Sequence, residues 1–115
     1  MVLEFMDNIK NDDYYLNKIK ADLSHIIKNT IGLSETEIGA NDILVDSIMF
    51  RLIQISENCD KLSDKLKLKN NHIPWRALKG LRNRIVHDYG TVDLSIVFDT
   101  VTNDIPYLLN ELNSL

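Results

Sequence analysis

Apolar residues recur along most of this chain at intervals of three, four or seven, which is the spacing that lines one face of a helix. Four helical segments follow from that pattern. The first is predicted over residues 3–30, with Phe5 or Met6, Ile9, Leu16, Ile19, Leu23 and Ile26 or Ile27 on its stripe. Asn11-Asp12-Asp13 interrupts the stripe and is read as a bend, and Gly32 suits a stop just past the end. A polar connector is expected over 32–41. The second helix is predicted over 42–66, capped by Asn41 or Asp42, with a stripe of Val45, Ile48, Met49, Leu52, Ile55, Cys59, Leu62 and Leu66. Ile43, Leu44, Phe50 and Ile53 widen its apolar surface beyond one face, which implies burial on two sides, as at a bundle centre or a dimer interface.

Asn70-Asn71-His72 breaks the pattern, and Pro74 stands where a first helical turn tolerates a missing N–H. The third helix is predicted over 74–87, with Trp75, Leu78, Leu81 or Arg82, Ile85 and Tyr89 on one side. Gly80 within it costs about 1 kcal/mol against alanine. Close approach of a neighbouring helix is one reason to keep a glycine there. Gly90-Thr91 ends the segment. The fourth helix is predicted over 93–113, on Leu94, Val97 or Phe98, Val101, Ile105, Leu108 and Leu112, with a kink at Pro106. No alternating strand pattern is present. The expected fold is all-α: one domain over residues 1–115, an antiparallel bundle of four to five helices.

Composition narrows the function classes. The 115 residues fit one domain of ordinary globular composition, 44% hydrophobic and 26% charged. No apolar run approaches the ~20 residues of a membrane span, and the N-terminus lacks the pattern of a signal peptide. A cytoplasmic location without membrane association is therefore the expectation. Cys59 is the single cysteine, which rules out an internal disulfide framework and a cysteine-based metal site. No glycine loop of the phosphate-cradling type appears.

The net charge of −4 hides an asymmetry. Residues 61–84 carry eight bases (Lys61, Lys65, Lys67, Lys69, Arg76, Lys79, Arg82 and Arg84) and one acid, Asp64, a local charge of +7. The remainder has five bases and sixteen acids. A polyanion responds to the local charge, because attraction to phosphate decays over about 10 Å at moderate salt. A solvated basic face is the alternative reading.

Chemistry concentrates at the end of this basic stretch. His25 lies beside the first helix's apolar stripe and reads as a core-edge residue, and His72 reads as a loop residue. His87 instead sits among Arg82, Asn83, Arg84, Asp88 and Tyr89. RNA cleavage without a metal needs a group that exchanges a proton near neutral pH and a fixed cation on the phosphoryl oxygens. Imidazole and guanidinium supply these. A helix end whose basic residues complement the macrodipole is the structural alternative. Positions 82 and 87 lie about 140° apart on an ideal helix. Convergence therefore needs the helix to unwind before His87, Arg82 to reach round, or a cleft shared by two subunits. Arg84 and His87 would be same-face neighbours, as would Arg82 and Tyr89 if the helix continued.

In the run Arg82-Asn83-Arg84-Ile85-Val86-His87-Asp88-Tyr89 the sequence resembles the HepT-like ribonuclease toxins of the HEPN superfamily, whose motif is Arg-x4-His-x-Tyr. Arg82, His87 and Tyr89 match it at every defined position. Ile73-Pro74-Trp75-Arg76 upstream, Val92-Asp93 and Val97-Phe98 downstream, and Leu52 to Glu57 in the second helix extend the likeness over essentially the whole chain. The resemblance implies a helical bundle that forms homodimers, with the motifs lining a cleft near the dimer interface. It implies a metal-independent endoribonuclease with no cofactor, in which His87 is the acid/base group, Arg82 holds the scissile phosphate and the RNA 2′-OH is the nucleophile. It further implies the toxin of a type VII-like toxin–antitoxin pair, whose partner is a minimal nucleotidyltransferase antitoxin that adenylylates the motif tyrosine, here Tyr89. AMP there would add bulk and negative charge beside Arg82 and His87.

Supporting roles fall to Asn83, Arg84 and Glu57, and RNA-binding roles to Lys79 and Arg76. For Glu57, pairing within the fold with any nearby base is the competing reading. For Trp75, core packing competes with base stacking. A different function class is a non-catalytic helical subunit that binds a nucleotidyltransferase. A third is a structural helical dimer that contacts RNA nonspecifically through its basic stretch. The intact Arg82, His87 and Tyr89 favour the enzyme.

Overall fold

The computed structural model describes residues 10–86 and 90–115. Helix α1 spans Asp12–Thr30. Lys10 and Asn11 are not helical, and Asn11 caps α1: its side chain accepts a hydrogen bond from the Tyr14 N–H at 3.0 Å. The residues predicted to start the helix earlier, up to Ile9, lie outside the described residues. After Thr30 the chain leaves the helix at Ile31 and passes through Gly32 at φ +80°, the stop the sequence suggested.

The connector holds a short helix that hydrophobic spacing did not reveal, α2, Glu35–Gly39. A reciprocal cap forms it: Ser34 Oγ accepts from the Glu37 N–H, and Glu37 accepts from the Ser34 N–H. Helix α3, Asp42–Asp60, starts at the Asn41 cap as predicted but stops six residues before Leu66. Ser63 then caps a separate turn of helix, α4, Asp64–Lys69. The predicted third helix is also divided, into α5, Trp75–Lys79, and α6, Leu81–Ile85, with Gly80 between them. A methyl group at Gly80 would meet the Arg76 carbonyl oxygen at 3.2 Å, so the crowding there is within the chain's own turn. Close packing of a neighbouring element occurs instead at Gly39, where an added methyl would meet Leu94 at 2.9 Å.

The last helical region begins with α7, Leu94–Asp99, capped by Asp93. One π turn, Thr100–Asp104, follows and leads into α8, Ile105–Leu112. The predicted kink at Pro106 takes this form. The Ile105 N–H reaches back five residues to the Thr100 carbonyl, and Pro106, which has no N–H, enters the next turn without breaking a regular ladder.

Side-chain links give the directions of the long helices. Asp12 meets Ser63, Lys61 lies over the Tyr15 ring, and Asp22 meets Arg51. The start of α1 therefore lies beside the end of α3, so the two run antiparallel. One hollow is lined by Ile27, Leu33, Phe98 and Pro106, and another by Leu16, Lys20 and Leu115. The C-terminal helices thus also run antiparallel to α1. Leu16, Ile19, Leu23 and Ile26 of α1, Ile48, Leu52, Ile55 and Cys59 of α3, and Val97, Ile105, Leu108 and Leu112 form the shared core. Most of the predicted stripes are buried. Among the described residues there is no strand beyond one isolated bridge, Val86 to Val92, so the fold is an all-α bundle. No described helix is long and apolar enough to cross a membrane.

Within one copy of the chain, the extra apolar surface of α3 is not covered. Ile43, Phe50 and Ile53 are 82%, 57% and 42% exposed. Helix α3 packs on α1, α2, α5 and α6, and these three side chains lie outside that packing.

Candidate active site

The motif begins on α6. Leu81 and Ile85 on this helix are fully buried, and they fix which way it faces. Arg82 and Arg84 therefore flank the buried side, while Asn83 projects to solvent. Arg82 is half-buried, and its guanidinium donates to the Asn83 side-chain oxygen at 3.4 Å. No carboxylate among the described residues pairs with Arg82. Its permanent charge is left available to an anion there.

Helix α6 ends at Ile85, two residues before His87. Val86 is extended, at φ −95° and ψ 120°, and pairs with Val92 in an antiparallel bridge. The Asp93 N–H donates to the Ile85 carbonyl at 3.0 Å, which closes the same junction. The regular helix therefore ends before His87, the first of the three conditions considered for convergence. The condition for Arg82 and Tyr89 to share a helical face is not met. The bridge brings together the two ends of residues 87–91. His87, Asp88 and Tyr89 themselves lie outside the described residues.

The remaining predicted residues divide by their partners. Arg84 does not stand free. It forms an ion pair with Asp104 and lies 3.7 Å from Asp99. Sequence spacing placed it beside His87 and gave no sign of these partners, which lie about 15 to 20 positions further along the chain. Lys79 pairs with Asp60 at 2.6 Å at the α3–α5 junction, although both remain exposed. Arg76 is exposed with no carboxylate partner among the described residues. Glu57 is also exposed and is paired with neither Arg82 nor any other base among them. Trp75 packs partly against the core and donates its indole N–H to the Asn70 carbonyl at 3.1 Å. That satisfies the packing reading. His25 is half-buried on α1, and His72 is exposed in the turn before α5.

The basic stretch is partly neutralised. Lys79 and Arg84 are paired and Lys61 sits over Tyr15 at 5.6 Å, whereas Lys65, Lys67, Lys69, Arg76 and Arg82 have no carboxylate partner among the described residues. Cys59 is buried in the core, and burial pushes its thiol up to about 12, which makes it unreactive as a nucleophile.

Comparison with known proteins gives the same direction. Residues 19–115 match the family described as Ribonuclease HepT-like. A "Gamma-glutamylcyclotransferase and putative RNase" of Methanocaldococcus jannaschii is 30% identical over 103 residues, which is 90% of this chain and 46% of that protein. A "Putative RNase" of Caldanaerobacter subterraneus is 24% identical over 101 residues, 88% of this chain and 90% of the relative. A "Probable ribonuclease HepT" of Thermococcus cleftensis is 31% identical over 84 residues, 69% of this chain and 76% of the relative. The chain thus spans about half of the first relative and most of the other two. No solved structure matches the chain. With an all-α bundle and a match over residues 19–115, the chain belongs to the HepT-like ribonuclease family.

Proposed function

We infer that this chain is a metal-independent endoribonuclease, the toxin of a toxin–antitoxin pair. The observation that carries the reading is the complete Arg82-x4-His87-x-Tyr89 motif in a chain of this family. The guanidinium of Arg82, on the last turn before the motif histidine and without a carboxylate partner among the described residues, supports it. In the reaction, the 2′-oxygen of the RNA attacks the adjacent phosphorus. A new O–P bond forms as the bond to the 5′-oxygen breaks, leaving a cyclic phosphate and a 5′-hydroxyl. His87 exchanges the protons of this step, and Arg82 stabilises the charge on the non-bridging oxygens. Asn83 orients Arg82. Arg76 and Lys79 attract flanking phosphates, with Lys79 releasing Asp60 as it does so.

Two copies form the working unit. The exposed Ile43, Phe50 and Ile53 of α3 offer the surface for the second copy. Adenylylation of Tyr89 by a minimal nucleotidyltransferase antitoxin switches the enzyme off, because AMP puts negative charge where the RNA phosphate binds.

Incubation of purified protein with RNA in EDTA tests the chemistry. Wild type should cleave, and Arg82→Ala and His87→Ala should each be slower by about 10²-fold or more. Equal cleavage by all three, or by none, contradicts the assignment. A wild type that binds a nucleotidyltransferase without cleaving RNA would instead establish the non-catalytic subunit. Co-expression with the nucleotidyltransferase should add at least one AMP mass at Tyr89. The same mass on Tyr89→Phe would place the modification elsewhere.

A further inference from the structure

Arg84 is a motif-helix cation whose charge is already spoken for. Asp104 and Asp99 lie on its two terminal nitrogens, and Asp99 in turn accepts from Asn103 Nδ2 at 2.8 Å. Asp99 and Asp104 are five positions apart, a spacing that puts side chains about 140° apart on an α-helix. Here the π turn Thr100–Asp104 intervenes, and its i to i+5 closure makes residues five apart one turn apart. The turn that admits Pro106 therefore also sets both carboxylates on one face, opposite a single guanidinium.

The place of this clamp in the fold matters. Helix α6 packs on α3 and α7, and Arg84 ties it to the π turn that leads into α8 as well. Packing beneath that tie is incomplete: a hollow of about 250 Å³ lies between Leu81, Arg84, Asp104 and Tyr107. Arg84 is followed by the last helical residue, Ile85, and then by the Val86–Val92 bridge. The clamp holds one side of the junction and the bridge the other, and residues 87–91 start and end there.

We propose that Arg84 is a positioning residue, clamped by Asp99 and Asp104 across the π turn, that fixes the end of the motif helix from which His87 departs. Arg84 does not bind the RNA phosphate. Its effect on catalysis rests on the ribonuclease reading above; its effect on the junction does not.

The test uses the full chain as Arg84→Gln, Arg84→Lys, Asp104→Asn and the exchanged pair Arg84→Asp/Asp104→Arg. Arg84→Gln and Asp104→Asn should each lower kcat tenfold to about a hundredfold, with KM for RNA within about twofold and the salt dependence of binding unchanged. Arg84→Lys and the exchanged pair should recover at least part of the loss. A rise in KM, with a salt slope shallower by about one, would make Arg84 a phosphate ligand and overturn the proposal. So would an unchanged kcat. Amide exchange supplies a readout independent of activity. The Val86 and Asp93 N–H groups, bonded to the Arg82 and Ile85 carbonyls, should exchange at least about tenfold faster in Arg84→Gln while the α1 and α3 amides keep their rates. Unchanged exchange at both would overturn the clamp. General acceleration, α1 and α3 included, would make the effect one of global stability and also overturn it. A wild type without ribonuclease activity would remove the catalytic reading alone, since amide exchange still judges the junction.

Discussion

Arg82 and Arg84, two positions apart on one short helix, have opposite fates. Arg84 is spent on Asp99 and Asp104, while Arg82 meets only the neutral oxygen of Asn83 among the described residues. A guanidinium already held by two carboxylates is a poor phosphate ligand, because RNA would have to displace both. An unpaired one has no such competitor. Asp12 is a second residue whose environment is measurable. It accepts from both the N–H and the hydroxyl of Ser63, at 2.8 and 2.6 Å, and these bonds hold its carboxyl below the usual carboxylate range. A depressed pKa in the folded state favours folding above the unfolded value and stops doing so as pH falls through the folded one. Asp12→Ala should therefore cost about 1 kcal/mol at neutral pH. The difference from wild type should shrink as pH drops below the ordinary value of 3.8. Denaturant titrations at several pH values check this, and a difference that grows in acid would contradict it.

At the scale of elements, α1 and α3 were legible because Leu16 to Ile26 and Ile48 to Cys59 repeat at helical spacing for several turns and are buried accordingly. What was not legible follows from contacts distant in sequence or from short polar signals. Helix α2 depends on the Ser34–Glu37 cap rather than on an apolar stripe. The break after Asp60 goes with Ser63, which turns to meet Asp12 some fifty positions earlier. The end of α6 at Ile85 depends on Val86 finding Val92, a pairing that periodicity alone does not encode. The π turn was visible only as Pro106, and the Arg84 clamp that depends on it not at all. The contact between α1 and α3 also carries a charged pair: Arg51 donates to the buried Asp22 at 2.7 Å. Arg51→Ala would leave that carboxylate unpaired, at a cost of about 1.5–3 kcal/mol. Asp22→Asn/Arg51→Met should lose less than Arg51→Ala if the unpaired charge is the main penalty. Thermal or denaturant unfolding of both variants decides it.

For the molecule as a whole, the family is legible in the sequence, and the match over residues 19–115 bears it out. The bundle supplies what the motif could not: an unwound helix end before His87, and an uncovered apolar strip along α3. If that strip is where two copies meet, Phe50→Asp should shift the protein from dimer to monomer in sedimentation while its helical content stays unchanged. A variant that remains dimeric would move the interface to another face. Ribonuclease activity rests above all on Arg82 and His87 acting together on RNA. Its most direct test is cleavage of a defined RNA in EDTA by wild type, Arg82→Ala and His87→Ala, each first shown to be folded. Wild type should give cyclic-phosphate products, and both variants should lose about 10²-fold or more in rate. Undiminished cleavage by either folded variant would contradict it.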